Sequence, residues 1–439
     1  MTAIKKKIKV ALATLGCKVN QFESASFLSG LEERGAEIVP FSQQADVYII
    51  NTCAVTAKAG AQSRQMIRKA LQTNSKARLV VTGCYAQVAS QKVLEIGDWG
   101  LCIVGNGFKH RLVDIALSEK QCDLEMHMGD IGGKKEICLL PVQRFPGRTR
   151  AFLKIQDGCN NFCSYCIVPY ARGRSRSLPV AAALEQIEVF AANGYREIVL
   201  TGIHVGMYGQ DLAPQNRLID FIDLATARYP TIRFRLSSLE PGEVRDELLS
   251  LTAERANFMP HFHIPLQSGD DKILTAMNRR YRAHDFSRLI TRIREKIPQA
   301  AIGVDVLVGF PGESAAAFAN THGLLDALPV TYLHVFPYSK RPGTVAAGMA
   351  NQVEKCLKEE RVARLHQLSE QKKQAFYRQH LGTVHRVLAE NRNNRFKLMR
   401  GFTENYIPVL FPAPENMGNT IVDVRLERLE DSILFGQTI

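Results

Sequence analysis

The chain has 439 residues, a hydrophobic fraction of 46% and a formal net charge of +13. Its length predicts about two to four domains, and its hydrophobic fraction excludes a disordered chain because it is enough to form proper cores. No stretch approaches the ~18 apolar residues of a membrane span, and the positive charge favours a polyanionic partner, most simply a nucleic acid.

The start of the chain lacks the long apolar core and the small-residue cleavage site of a signal peptide. The ten cysteines therefore argue against a disulfide framework. They indicate a reducing, cytoplasmic setting in which thiols bind metals or take part in catalysis.

Strand and helix patterns alternate through the first third of the chain, which predicts a doubly wound parallel sheet in an N-terminal domain at 1–120. The strand patterns lie at 7–15, 46–50, 77–82 and 101–104, and the helical patterns at 21–34, 58–72 and 87–96. A stretch with glycines, prolines and mixed charge follows, and we predict a linker at 121–144.

Three cysteines of this domain each come directly after a predicted strand, at Cys17, Cys53 and Cys84. The carboxyl ends of parallel strands share one edge of a sheet, which is where ligands bind in open α/β folds. Buried cysteines are common in cores, which is the alternative interpretation. Three thiols converging on one loop edge are more typical of a metal or catalytic site.

A second group of cysteines, Cys159, Cys163 and Cys166, forms a CxxxCxxC pattern on a loop after the strand pattern at 151–155. Thiolates suit iron–sulfur clusters, zinc or copper(I). A four-iron cluster normally takes four cysteines, so three would leave one iron open for a chelating substrate. Structural zinc is the alternative, but such sites usually close with a fourth Cys or His, and this segment offers none.

Six strand patterns separated by helical patterns predict a partial, TIM-like (β/α) barrel in a central domain at 145–378. The strands begin near Ala151, Glu197, Arg233, His261, Gly303 and Tyr332. Because ligands bind at the C-terminal ends of barrel strands, the candidate site residues are Thr201, Gly202, Ser238, Glu240, Gln267 and Gly309.

A charged helix at 353–378 is typical of a solvated connector, and short strand patterns then predict a small all-β barrel at 379–439. In the first half of this module, basic residues interleave with Phe396, Phe402 and Tyr406, a pattern that suits RNA phosphates and stacked bases. The module as a whole is charge-balanced, with seven basic and seven acidic residues, so a packing domain is the alternative.

The densest basic segment flanks the CxxxCxxC motif, and we expect it to steer a polyanion towards the site, or in part to pair with a cofactor carboxylate. Its members are Arg144, Arg148, Arg150, Lys154, Arg172, Arg174 and Arg176.

These motifs together resemble the radical S-adenosylmethionine (SAM) methylthiotransferase family. The resemblance rests on LGCKVNQFES, NTCAVT and TGCYAQ, then KIQDGCNNFCSYCIVPYARGRSRS and HIPLQSGDDKILTAMNRRY, and covers nearly the whole chain. The C-terminal module is similar to the TRAM domain, an OB-like RNA-binding fold. The family implies a transferase that inserts sulfur and a methyl group by radical chemistry.

The resemblance also implies two 4Fe-4S clusters. Cys159, Cys163 and Cys166 would hold the first, whose open iron chelates SAM for reductive cleavage to a radical. Cys17, Cys53 and Cys84 would hold the second, whose open iron carries the sulfur that is methylated and transferred. The strand-end candidates would contact SAM, and an electron donor such as flavodoxin or ferredoxin would supply the electron.

Within the family, CKVNQFES, NTCAVT and VFPYSKRPGT resemble the branch that acts on threonylcarbamoyladenosine beside the anticodon of tRNA. The expected partner is therefore the tRNA anticodon stem-loop, with no membrane. The alternatives are the isopentenyladenosine branch, which more often has Gln-Met-Asn where this chain has Lys18, Val19 and Asn20, and the branch that modifies an aspartate of a ribosomal protein.

Two hypotheses from outside this reaction remain. One is a zinc-stabilised RNA-binding protein without catalysis, which would be colourless. The other is a radical SAM enzyme with a different reaction, such as plain methylation, which would not need the N-terminal cysteines.

Overall fold

The computed structural model describes residues 7–97, 100–119, 123–393 and 395–439. Its first domain has a six-stranded sheet in the order β2-β1-β3-β4-β5-β6, with every neighbouring pair parallel. The strands are β1 (Lys9–Thr14), β2 (Glu37–Val39), β3 (Val47–Thr52), β4 (Arg78–Gly83), β5 (Leu101–Val104) and β6 (Leu124–His127). The helices are α1 (Lys18–Glu33), α2 (Ala57–Thr73), α3 (Cys84–Val88), α4 (Ser90–Leu94) and α5 (Leu112–Ala116).

Helices cover both faces of this sheet, as a doubly wound fold requires. Phe22 of α1 packs with Val10 and Ile49 on one face, while Ile67 of α2 packs with Ile50 on the other. Successive side chains of a strand point to opposite faces, so one buried strand serves both cores. The predicted fold class of this domain is confirmed.

The edges of the sheet differ from the prediction. Strand β2 has only three residues, and β6 lies inside the stretch expected to be a linker, where its side chains are half-buried or exposed. Such short edge strands have few buried apolar residues, so the hydrophobic pattern of the sequence does not reveal them. The predicted helix at 87–96 is two short helices, α3 and α4, which meet at Ala89, where the backbone leaves the helical region (φ −141°, ψ 38°).

The central domain is an open barrel of two three-stranded parallel sheets, ordered β11-β10-β7 and β12-β13-β14. Its strands are β7 (Arg150–Lys154), β10 (Glu197–Thr201), β11 (Arg233–Leu236), β12 (His261–Gln267), β13 (Ala301–Val308) and β14 (Tyr332–Pro337), and a small antiparallel pair is formed by β8 (Gln156–Asp157) and β9 (Arg176–Ser177). The helices are α6 (Val168–Arg172), α7 (Val180–Ala192), α8 (Leu218–Arg228), α9 (Asp246–Glu254), α10 (Asp271–Ala276), α11 (Ala283–Lys296), α12 (Ala315–Ala327) and α13 (Val345–Gly348).

The inside of this barrel is polar. Along β13, Ile302, Val304 and Val306 pack in the core with the surrounding helices, so the alternate residue Asp305 points inward. The Asp305 carboxylate lies 2.7 Å from the Nε2 of His263 and 3.3 Å from the Nδ1 of His334. The lumen therefore offers charged and hydrogen-bonding groups instead of a packed apolar fill.

The C-terminal domain is a closed five-stranded barrel in the order β15-β16-β17-β19-β18. The long helix α14 (Lys355–Gln379) leads into β15 (Val384–Asn393), β16 (Leu398–Phe402), β17 (Pro408–Phe411), β18 (Ile421–Glu430) and β19 (Ile433–Thr438). Helix α14 is not solvated on all sides, because Leu365 and Leu368 join the central core and Phe376 and Tyr377 join the C-terminal one. It fixes the two domains to each other.

The C-terminal barrel docks on the central barrel through Tyr406. The Tyr406 ring lies 4.6 Å from the guanidinium carbon of Arg235, 5.2 Å from that of Arg150 and 4.7 Å from the ring of His261, and it stacks on the buried Phe402. The predicted role of Phe402 and Tyr406 in stacking RNA bases is therefore wrong, because both rings are occupied by this interface.

The limits of the three domains and the linker stay predictions; residues 121 and 122, at the start of the predicted linker, lie outside the described residues. Within the part of the chain that is described, no helix is both long and apolar enough to cross a lipid bilayer.

Glu197 is the buried counter-ion of the central barrel, and its removal should destabilise the domain. It accepts from Arg235 at 3.0 Å and lies 3.3 Å from Arg233. Burial alone would raise the pKa of Glu197, but Arg235 and Arg233 hold it at about 2. We expect Glu197→Gln to lower the free energy of unfolding by about 3–5 kcal/mol, because two buried cations lose their partner.

Urea unfolding measures this effect, and Glu188→Gln is the matched control. Glu188 also pairs with an arginine, Arg228, but both side chains are more than half exposed. The control should change the free energy of unfolding by less than about 0.5 kcal/mol. Equal effects of the two substitutions would contradict the assigned role of Glu197.

Candidate functional site

The N-terminal cysteines lie at the carboxyl edge of the first sheet, as predicted. Cys17 precedes the first residue of α1, Cys53 follows β3, and Cys84 is the first residue of α3 directly after β4. The pKa of the Cys53 thiol is raised to about 11, mainly by burial and also by the neighbouring Cys84 and Cys17. The structure therefore brings these three cysteines together.

A glycine sets the turn that places Cys84. Gly83 has φ +95°, and a Cβ there would clash with the Thr52 carbonyl oxygen and lie 2.7 Å from the Asn51 side chain. Only glycine allows β4 to approach β3 this closely and turn at once into α3. Gly16 likewise lies against Cys53: a Cβ added to Gly16 would be 2.9 Å from the Cβ of Cys53.

The central cysteines lie on a loop closed at its base by the β8–β9 pair. The Cys159 amide donates to the Gly173 carbonyl at 3.0 Å, and the Cys166 amide donates to the Cys163 carbonyl at 2.9 Å. The pKa of the Cys166 thiol is raised to about 12, mainly by burial and also by Cys163 and Cys159. These three cysteines are also grouped, on the C-terminal side of β7.

One buried side chain, Arg172 at the end of α6, links the two groups. Its Nε donates to the Cys84 sulfur at 3.3 Å, and its guanidinium also donates to Asp157 at 2.9 Å, Glu23 at 3.0 Å and Asn20 at 2.6 Å. Asp157 stands two residues before Cys159. A single side chain therefore connects Cys84 of the first cysteine group to the residue that begins the loop of the second group.

Arg172 belongs to a fully buried charge network. Lys109 pairs with Glu23, and the Nζ of Lys154 lies 3.5 Å from both Glu23 and Asp157. Burial alone would raise the pKa of the Glu23 and Asp157 carboxyls. Arg172, Lys109 and Lys154 instead hold the pKa of Glu23 well below its usual range, and Arg172 and Lys154 hold the pKa of Asp157 at about 2. Both carboxylates are charged and bound between domains.

The spacing of the sulfurs distinguishes between metals. Among the described residues, one group of three metal-ligating side chains has all its ligand atoms within 4.8 Å of one another, and it is His263, Asp305 and His334. Neither cysteine group is that compact. A tetrahedral zinc ion with Zn–S bonds of about 2.3 Å holds its sulfurs about 3.8 Å apart. Sulfurs that are not all within 4.8 Å of one another do not enclose a single zinc ion, so their spacing disfavours structural zinc.

Hydrogen-bond donors face the sulfurs of the central group. Arg279 Nη1 donates to the Cys163 sulfur at 3.3 Å, the Asn161 amide donates to the Cys159 sulfur at 3.5 Å, and the His204 Nδ1 lies 3.6 Å from the Cys159 sulfur. Such contacts stabilise thiolates and tune a cluster that they hold. Both cysteine groups thus have donors beside their sulfurs, Arg172 at Cys84 and these three at the central group, which suits iron–sulfur clusters.

A cavity of about 200 Å³ opens beside Cys163. Glu240 lines it and pairs with Arg279, while Glu243 lines it and hydrogen-bonds His204 at 2.6 Å. Of the predicted strand-end residues, only Glu240 is among those that line this cavity. The sequence did not single out Arg279, His204 or Glu243, although the segment HIPLQSGDDKILTAMNRRY, which contains Arg279, carries part of the family resemblance.

The other strand-end candidates lie elsewhere around the barrel. Thr201 ends β10 in register with Lys154, and Gly202 packs on Gln156, with its built Cβ 2.8 Å from the Gln156 side chain. Ser238 is half-buried, and Gln267 ends β12 with φ +62°. Gly309 faces α14, where a Cβ would clash with the Lys358 side chain. Their contacts with SAM stay predictions.

The basic segment around the motif is not one surface. Lys154, Arg172 and Arg176 are buried, and Arg150 pairs with Glu390. Exposed members of the segment remain at Arg144, Arg148 and Arg174. The expectation that the whole segment steers a polyanion is therefore wrong for the inward side chains, which bind polar groups of the protein itself.

Comparison with known proteins identifies the family. Residues 9–105 match a family described as the uncharacterised protein family UPF0004, and residues 153–325 match the radical SAM superfamily. The threonylcarbamoyladenosine tRNA methylthiotransferase MtaB of Bacillus subtilis is 38% identical over 95% of this chain and 93% of its own length. That of Aquifex aeolicus is 37% identical over 94% of this chain and 99% of its own. The chain belongs to the MtaB family of methylthiotransferases.

Solved structures agree with the fold. The radical SAM methyltransferase TsrM of Kitasatospora setae, solved with cobalamin and a [4Fe-4S] cluster, has a TM-score of 0.54 at 17% identity and covers 78% of this chain and 77% of its own. A second TsrM structure, with tryptophan and a SAM analogue, has a TM-score of 0.56 at 15% identity, covering 78% and 75%. Membership of the MtaB family brings SAM and 4Fe-4S clusters as cofactors.

Replacing Gly83 by alanine should disrupt the N-terminal cysteine group alone. The added Cβ meets the backbone of Thr52, so β4 and Cys84 must shift. We expect the anaerobically reconstituted Gly83→Ala protein to hold about four irons per chain where the unaltered protein holds about eight.

Gly35→Ala is the matched control for iron content. Gly35 also has a positive φ of +78°, but a Cβ there meets nothing within 4 Å. It should lose a little stability and keep its iron. Full iron content in Gly83→Ala would show that the turn does not position the cluster.

Proposed function

We propose that this protein inserts a methylthio group into threonylcarbamoyladenosine of tRNA, beside the anticodon. The observation that carries the proposal is the Arg172 link, because one buried side chain contacts Cys84 of the first cysteine group and Asp157, two residues before the second. A methylthio transfer needs two such centres near one base. The MtaB relatives, similar along nearly the whole chain, support the choice of reaction.

We propose Cys159, Cys163 and Cys166 as ligands of the cluster that binds SAM, and Cys17, Cys53 and Cys84 as ligands of the sulfur-carrying cluster. When bound, these groups supply a radical that removes a ring hydrogen and a sulfur that is methylated and transferred. The protein's part is to hold the two centres at a fixed separation through Arg172, whose guanidinium is buried between them. An electron donor such as flavodoxin or ferredoxin is part of the proposal.

The cavity beside Cys163 suits SAM, because SAM carries positive and negative groups and the cavity is lined by carboxylates and an arginine. Glu240 and Glu243 would attract its ammonium and sulfonium groups, and Arg279 its carboxylate. We propose these three residues as SAM contacts. Thr201, Gly202, Ser238, Gln267 and Gly309 remain proposals from strand-end position.

The charge of the barrel lumen supports the threonylcarbamoyl substrate over the isopentenyl one. Burial lowers the pKa of Lys18, next to Cys17, and Arg150 and Arg235 lower it further. Tyr406 and Glu197 act to raise it. Arg235 is paired with Glu197 and Arg150 with Glu390, whereas Lys18 has no carboxylate partner within 4 Å among the described residues. The threonylcarbamoyl group ends in a free carboxylate, which such a cation would bind. The isopentenyl group is an uncharged hydrocarbon and would not satisfy it.

The reaction is tested by mass spectrometry of tRNA nucleosides from cells that lack this gene. We expect the methylthio form of threonylcarbamoyladenosine to be missing, and to return with the unaltered gene but not with Cys84→Ala or Cys163→Ala. The purified Cys84→Ala protein should still cleave SAM, whereas Cys163→Ala should not. Loss of the isopentenyl form instead would overturn the substrate, and sulfur insertion by Cys84→Ala would overturn the second cluster.

Lys18→Gln should weaken the reaction with the natural substrate by removing a charged hydrogen bond. Such a bond contributes about 1.5–3 kcal/mol, so we expect kcat/KM to fall about 10- to 100-fold. The measurement uses a stem-loop RNA with threonylcarbamoyladenosine and a second one in which the threonine carboxylate is an amide. The unaltered enzyme should lose a similar factor on the amide, and Lys18→Gln should lose nothing further.

Lys69→Gln, on the exposed side of α2, is the control for the loss of one positive charge. It should leave kcat/KM unchanged on both RNAs. An equal penalty for the amide in the unaltered enzyme and in Lys18→Gln would show that Lys18 does not contact the carboxylate.

A further inference from the structure

A cavity of about 690 Å³ lies outside the barrel lumen, between the N-terminal domain and the loop that follows β14. Residues directly after three of the six cysteines line it, namely Ala54 after Cys53, Tyr85 after Cys84 and Ile167 after Cys166. Its volume is within the range of about 300–1,000 Å³ that is usual for ligand sites. The cavity therefore adjoins both cysteine groups without belonging to the SAM cavity beside Cys163.

The charged residues of this cavity are all basic. Arg64, Lys92, Lys340 and Arg341 line it, and none of its described lining residues is Asp or Glu. None of these four cations forms an ion pair with a carboxylate anywhere in the described chain. They repel one another with no anion of the protein to balance them, so the site is suited to an anionic ligand.

Two of these cations are held in place by neutral partners. Arg64 Nη1 donates to the Tyr85 hydroxyl at 2.8 Å, and Arg341 Nη1 donates to the Ala54 carbonyl at 3.5 Å. Both are half-buried, while Lys92 and Lys340 are exposed at the rim. The positive charge is thus positioned beside Cys53 and Cys84, and is not a mobile surface charge.

The cavity also has an apolar side. Ala57, Val88, Ala89 and Pro342 line it together with the ring of Tyr85, whose edge packs 3.1 Å from a Cβ built on Gly60. Cations beside an accessible apolar wall suit a nucleotide of single-stranded RNA, with its phosphate on the cations and its base on the apolar surface. SAM, which carries a net positive charge, does not fit a cavity lined only by cations.

We propose that this cavity binds a nucleotide next to the target base, with its phosphate on Arg341 and Lys92 and its base against the apolar wall at Val88 and Pro342. The proposal rests on the proposed function, because the anticodon loop is the RNA that must reach the cysteine groups. Strand-end loops that hold the cysteines would then also hold the neighbouring nucleotide, so the target base is presented at a fixed distance from both clusters.

The test is the salt dependence of binding, measured by fluorescence anisotropy of an anticodon stem-loop with the reconstituted enzyme. Removing one cation that binds a phosphate lowers the slope of log K against log salt by about 0.7 for single-stranded RNA. We expect Lys92→Gln to lower the slope by about 0.7 and Lys92→Gln with Arg341→Gln by about 1.4. The single variant changes only an exposed side chain, so it remains informative if the double variant folds poorly.

Arg288→Gln is the matched control, since Arg288 is exposed on α11 and remote in sequence from the cavity lining. It should keep the slope of the unaltered enzyme. An unchanged slope in both cavity variants overturns the proposal, as does an equal decrease in Arg288→Gln. A loss of SAM affinity with an unchanged RNA slope would assign the cavity to SAM instead.

The failure of this proposal differs from that of the proposed function. Suppose that the unaltered enzyme makes methylthio-threonylcarbamoyladenosine, while the cavity variants bind RNA with the same salt-dependence slope as the unaltered enzyme. Only the nucleotide site then fails. If the unaltered enzyme makes no such product yet the slopes fall as expected, the reaction fails and the RNA site stands.

Discussion

The buried guanidinium of Arg172 is the group on which the two-domain site depends. It has no exposed surface, and it joins Cys84, Glu23 and Asn20 of one domain to Asp157 of the other. Removing water from such charges is costly unless every hydrogen bond is made. A network that is fully satisfied only when the two domains meet in one geometry specifies that geometry. The distance between the cysteine groups is thereby built into the fold instead of being left to a flexible linker.

The two cysteine groups use the same feature of parallel sheets in different ways. In the N-terminal domain, three strand ends each contribute one thiol, so the site exists only when the sheet is formed. In the central domain, a single loop contributes all three, and the short β8–β9 pair holds that loop. The first group needs the glycine at Gly83 for close approach of two strands, whereas the second needs the loop to be closed at its base.

The cysteine positions could be predicted because strand ends of a parallel sheet share one edge, and this requires no knowledge of distant contacts. The role of Arg172 could not. Its partner Glu23 is 149 residues away, and nothing local marks the side chain as buried, so a surface role fits the sequence equally well. Arg279 escaped prediction for the same reason, since it meets Cys163 across 116 residues. For Phe402 and Tyr406 the sequence predicted a surface role and the structure shows an internal one. Their basic and aromatic pattern is typical of RNA binding, but here it docks two domains.

The charges around Arg172 also act on Cys84, where they oppose the effect of burial but do not overcome it. Three cations, Arg172, Lys109 and Lys154, face two carboxylates, Glu23 and Asp157, which leaves one positive charge in a buried site. Burial raises the pKa of the Cys84 thiol, while Arg172 and Lys109 act to lower it. A cysteine sulfur that becomes a metal-bound thiolate balances the remaining charge. If Cys84 binds the proposed cluster, cluster binding and domain docking stabilise each other, because the same guanidinium takes part in both.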